Sequence, residues 1–111
     1  MDRKLEAVKR YIELRGMSVE DIIEDGNVIV CKDEDDIVFV EVFFIYGSMY
    51  EHRTAMPVEA FEEMIFKWFA TCREPIMGEV RYDIIEVHVL SEDRAIIRHE
   101  VNAKPIRDDD Q

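Results

Sequence analysis

Cysteine is scarce in this 111-residue chain: Cys31 and Cys72 stand far apart, with no C-x-x-C spacing. That excludes a disulfide framework and predicts reduced, buried thiols of a cytoplasmic protein. His52, His88 and His99 fall at no recognisable ligand spacing, so no zinc site is expected. No apolar stretch approaches the roughly 20 residues of a membrane helix. The opening MDRKLEAVKR has no apolar core of a signal peptide, and no membrane partner is expected. Internal repeats, low-complexity blocks and linkers are absent. So are Ser/His/Asp, Cys/His and glycine-rich phosphate arrangements. Basic residues are the minority, 14 against 26 acidic, for a formal charge of −12. That sign repels phosphate backbones and makes nucleic acid an unexpected partner. The acidic excess reads as a soluble surface.

What is present is enough apolar residue, 48%, for one real core in one domain. We place that domain at 1–104 and an acidic tail without structure at 105–111. From Asp2 to Arg15, Leu5, Val8, Tyr11 and Ile12 fall on one helical stripe, and Gly16 suits the C-terminal cap. Met17–Glu24 reads as a short strand, Asp25-Gly26-Asn27 as a tight turn and Val28–Cys31 as the second strand. Lys32–Asp36 is a second, acidic turn. Pro57 suits the first position of a helix, Pro57–Arg73, whose Val58, Phe61, Ile65, Trp68, Phe69 and Cys72 recur at three- and four-residue intervals. Glu79–Leu90 and Ala95–Val101 are the last strands. A meander, a helix and further strands predict an α/β fold, a mixed sheet flanked by helices in the order α-β-β-β-α-β-β.

The dominant stretch is Asp36–Tyr46, DIVFVEVFFIY. Its apolar positions are continuous, as in a central strand covered on both faces. Pleating sets Ile37, Phe39, Glu41, Phe43 and Ile45 on one face and Val38, Val40, Val42, Phe44 and Tyr46 on the other. A carboxylate at Glu41 is costly there unless paired, hydrogen-bonded, protonated or metal-bound. Glu41 should therefore find a donor, with Tyr82, His52 or an arginine the candidates, or sit unpaired with a raised pKa; the second case is the one expected.

Arg10–Gly16 (RYIELRG), Ile37–Val42 (IVFVEV), Val80–Val87 (VRYDIIEV) and Ile97–Ala103 (IRHEVNA) resemble stretches of the YraN-like family of endonuclease-fold proteins. These are relatives of the Holliday-junction resolvases in the restriction-endonuclease-like superfamily. The likeness covers about residues 5–103 and implies a restriction-endonuclease-like sheet. In active members an Asp and the Glu of E-x-K hold Mg²⁺, and the Lys helps activate or orient water. Here Glu41 matches that Glu, Phe43 stands at the Lys position, Ile29 aligns with the Asp, and Leu5 lies on or near a helical Glu. The resemblance therefore implies a degenerate site, with Glu41 vestigial and no metal or cofactor expected.

Asp83 resembles the Asp of the family's R-F-D segment and is read as a structural hydrogen-bond acceptor. His52, in the loop Gly47–Met56, has general-base potential near Glu41's end of the sheet. Asp33, Glu34, Asp35 and Asp36 lack the spacing of a calcium loop and read as a solvated turn. Trp68, with Phe61 and Phe69, is core rather than a stacking platform. Two function classes follow. One is a pseudoenzyme kept as an interaction or structural module, either as a homodimer or with a protein partner. The alternative is a Mg²⁺-dependent nuclease acting on DNA through relocated ligands, Glu41 with Asp83 or Asp36.

Overall fold

A computed structural model describes residues 3–46, 56–72 and 77–105. The elements are α1 (Arg3–Leu14), β1 (Ser18–Ile23), β2 (Val28–Asp33), β3 (Asp36–Tyr46), α2 (Val58–Thr71), β4 (Val80–Ser91) and β5 (Arg94–Glu100), with a short 3-10 turn at Glu24–Gly26. The strands form one mixed sheet in the order β1-β2-β3-β4-β5. Only the β3–β4 pairing is parallel, because α2 lies in the connection between those strands.

The continuous apolar run becomes the middle strand, and its two faces feed two cores. On one face Val38, Val40 and Val42 join Ile29, Cys31, Ile85 and Val87 beneath Val8 and Ile12 of α1. On the other, Phe39 and Ile37 join Val28, Val30 and Met64, with Phe61, Ile65, Trp68 and Phe69 of α2 packed against them. Phe39 meets the rings of Phe61, Trp68 and Phe69 edge-on at 5.8–6.2 Å between centroids, a geometry favoured by the ring quadrupoles.

Gly16 ends α1 as its sequence position predicts. With φ at +89°, it lets its own N–H reach the Glu13 carbonyl and the Met17 N–H reach that of Ile12, and Met17 joins Ile12 in the core. Three local expectations shift. Pro57 caps α2 rather than opening it, because its ψ of 157° is extended. The acidic turn tightens to Glu34-Asp35, since Asp33 pairs with Asp36. Cys31 is buried as expected, whereas Cys72 is only partly so. The expected helix end at Arg73, the loop with His52 and the acidic tail beyond Pro105 lie outside the described residues.

Gly78 positions β4. A Cβ there would collide with the Asp36 carboxylate and the Asp35 carbonyl. The close approach lets Glu79 N–H bond Asp36 Oδ1 at 2.8 Å and Ile37 N–H bond the Glu79 carbonyl at 2.9 Å. These contacts start the β3–β4 register at Ile37 opposite Val80.

Candidate functional site

Because β3 and β4 run parallel with Val40 opposite Asp83 and Glu41 opposite Ile84, neighbouring residues go to opposite faces. Glu41 lies on the α2 face, Asp83 on the α1 face.

On the α2 face, Tyr82 reaches diagonally from opposite Phe39 and donates its hydroxyl to Glu41 Oε1 at 2.5 Å. Tyr82 is buried beside Ile84 and Ala103, and Phe43 and Phe61 pack against this group. The expectation of an unpaired Glu41 is thereby corrected: one of the candidate donors is in place. Directly across β2, Glu41 faces Val28, and Ile29 faces Val40 on the other side of the sheet. Ile29 therefore lies on the opposite face from Glu41, and the β2 residue that shares Glu41's face at this level is Val28, since one residue exchanges faces. Both positions are aliphatic. Phe43 keeps the expected two-residue spacing and packs as core.

On the α1 face, Asp83 is fully buried and hydrogen-bonded at both oxygens. Arg81 grips it as a fork, Nε to Oδ1 at 2.9 Å and Nη2 to Oδ2 at 3.1 Å. His99 Nε2 lies 2.8 Å from Oδ2, and the backbone N–H of Asn102 donates to Oδ1 at 2.8 Å. Asn102 sits at φ +56°, a left-handed conformation that asparagine tolerates. The Tyr11 hydroxyl meets His99 Nδ1 at 3.1 Å, tying α1 to β5. An ionised carboxylate only accepts, so Nε2 carries the proton in that bond. Arg81 also donates to Asp33 Oδ2 at 3.2 Å.

Burial acts to raise the Asp83 pKa, but the bonds from His99, Arg81 and the Asn102 N–H outweigh it, and the value falls below the ordinary one. The Asp83 bond, ahead of the opposing effect of burial, raises the Arg81 pKa. Burial, reinforced by the nearby Asp83 charge, pushes the Cys31 thiol up to about 12, so it is inert as a nucleophile near neutrality. A Tyr-His-Asp chain has the parts of a proton relay. Here it is sealed beneath α1, with the His99 side chain 5% exposed, and it braces α1, β4, β5 and the segment after β5.

The relocated-ligand set does not assemble. Asp83 is on the wrong face, and Asp36 lies five residues back along β3, about 16 Å away, where it holds Glu79 N–H. His52 lies outside the described residues. Among the described residues, no group of three or more His, Cys, Asp or Glu is placed to hold a metal ion. Glu86 is a buried carboxylate that sequence reasoning passed over. It shares Glu41's face, opposite Phe43, and pairs with His88 at 3.2 Å and Arg98 at 4.0 Å. The rule that singled out Glu41, a carboxylate within an apolar strand, applies equally to Glu86 in β4.

An open cavity of about 900 Å³ is lined by Lys4, Tyr46, Val89, Arg94 and Ala95 among others. It lies on the α1 side, away from Glu41, and Lys4 donates to the Tyr46 hydroxyl at its wall. No described helix is long and apolar enough to cross a membrane. No protein-family model matches the chain, and no curated protein is similar to it.

Proposed function

We propose that this chain is a non-catalytic interaction module built on a nuclease-like scaffold. The observation that carries the reading is the surroundings of Glu41: Val28 on one side, Ile84 on the other, Phe39 and Phe43 along its own strand. With these apolar neighbours, and with Glu86 on the same face paired to His88 and Arg98, Glu41 lacks the several oxygen ligands needed by Mg²⁺, which dehydrates reluctantly. Its Oε1 instead accepts the Tyr82 hydroxyl. The restriction-endonuclease-like identity of the fold belongs to the same proposal, on the strength of the sequence stretches around Glu41 and Asp83. The net charge of −12 supports a protein partner over a nucleic acid.

The test is cleavage of duplex, branched and single-stranded DNA with Mg²⁺ or Mn²⁺. No cleavage is expected. Metal-dependent cleavage abolished by Glu41→Gln and by Glu86→Gln would overturn the reading, because Glu86 is the second carboxylate on that face.

A further inference from the structure

The two edges of the sheet differ in how they meet another strand. The β1 edge carries Glu20 and Asp21 and is kinked by an irregularity between Val19 and Asp21, devices that discourage edge pairing. The β5 edge reads Arg94-Ala-Ile-Ile-Arg-His-Glu100, and among the described residues no strand lies on its outer side. It pairs regularly with β4 from Ala95 to Glu100. Ile96 on it is 57% exposed, with Leu90 and Val101 exposed nearby. In a chain of net charge −12, this edge carries two arginines against one glutamate.

We propose that β5 is a self-association edge: two copies of the chain join by antiparallel pairing of β5 about a two-fold axis at Ile97, making one sheet that runs through both. This rests on the reading of the chain as an interaction module, and it supplies that module's partner. The side-chain sequence selects the register. Centred on Ile97, Arg94 lies opposite Glu100 of the partner subunit, and the reverse pair forms by symmetry. Ile96 lies opposite Arg98 of the partner subunit, whose alkyl stem can cover it. Directly opposed residues share a face and interact most strongly. Moving the axis to Ile96 would set Arg94 against the partner's Arg98, and moving it to Arg98 would set that residue against its own copy. Both alternatives oppose like charges.

The backbone agrees. Opposed residues in this register have the same parity, so both copies turn the same outward N–H and C=O groups toward each other. Ile97 packs against the α1-side core, and the axis would join the two cores at that residue. Arg98 has Glu86 of its own chain at 4.0 Å, which tempers the approach of two arginines near the axis.

Sedimentation of the full chain from low to high micromolar concentration is the test. A dimer is expected, with Arg94→Glu and Glu100→Arg each raising its dissociation constant roughly tenfold or more, since each reversal acts at two symmetric pairs. The double variant Arg94→Glu/Glu100→Arg should restore the wild-type constant. Ile96→Lys, opposite the partner's Arg98, provides a second surface variant and should also weaken the dimer. A monomer at every concentration overturns the proposal, as does a dimer indifferent to these charges. Neither result touches the non-catalytic reading, which stands or falls on the cleavage assay.

Discussion

Asp83 accepts the Nε and Nη2 hydrogens of the Arg81 guanidinium, from two residues back on the same strand. Period-two spacing puts them on one face, and burial leaves the carboxylate dependent on its partners. Asp83→Asn should lose the charge and misplace a donor against Arg81, and Asp83→Ala should strand Arg81 and His99. Removing one member of a buried charge pair costs about 3–5 kcal/mol. Urea unfolding should show a loss in that range. A change below about 1 kcal/mol, the scale of an exposed pair, would mean that the network is ornamental.

The same network sets an acid limb. The Asp83 pKa is lower in the folded chain than its ordinary value of 3.8, so the fold favours the ionised form. Its stabilisation is complete above that value and drains away as pH falls through the folded one. The stability gap between wild type and Asp83→Asn should therefore be constant near neutrality and shrink below about pH 3.8. Paired urea titrations from pH 7 down to 2.5 check this. A gap that widened on acidification would refute the ionised assignment.

Both the strength and the limit of the sequence reading show on β3. A run of branched and aromatic residues with no polar alternation has to be covered on both faces, so its central place was legible from Ile37 to Ile45. The stripe Phe61, Ile65, Trp68 likewise announced the face α2 buries. Gly16 was legible because only a left-handed residue completes that helix end. The Arg81–Asp83–His99–Tyr11 network was not. Its members come from α1, β4 and β5, and only the β4–β5 register and the seat of α1 bring them together. The pairing of β2 with β3 was open for a related reason: a turn without a fixed anchor leaves register free by one residue, which is enough to decide that Val28 and not Ile29 shares Glu41's face.

Gly78 offers a test of how β4 is placed. Its role is a close approach to the Asp35 carbonyl and the Asp36 carboxylate. Gly78→Ala should force the two apart and weaken the Glu79–Asp36 bond, destabilising by about 1–3 kcal/mol as overpacking does. Thermal melts of the variant should fall by several degrees. An unchanged melting temperature would show that the β2–β3 turn yields freely.

Glu41 and Tyr82 form the pair on which the silent-site reading depends, and a mutant cycle isolates it. Tyr82→Phe keeps the ring against Phe61, at 5.2 Å between centroids, and removes only the hydroxyl. Glu41 is half-buried and can recruit water, so the loss should be modest, about 1 kcal/mol. Glu41→Leu does the opposite, leaving a hydroxyl at 3% exposure without this acceptor, and should cost about 1–3 kcal/mol. Glu41→Gln retains an acceptor oxygen and should cost less than either. Replacing both partners by apolar groups removes donor and acceptor together, so the double variant Tyr82→Phe/Glu41→Leu should lose less than the sum of the singles. The coupling should amount to about 0.5–3 kcal/mol, as for residues in direct contact. Strictly additive losses would mean that the hydroxyl and carboxylate do not support each other in solution, and Glu41 would need another reason to sit in the middle of β3.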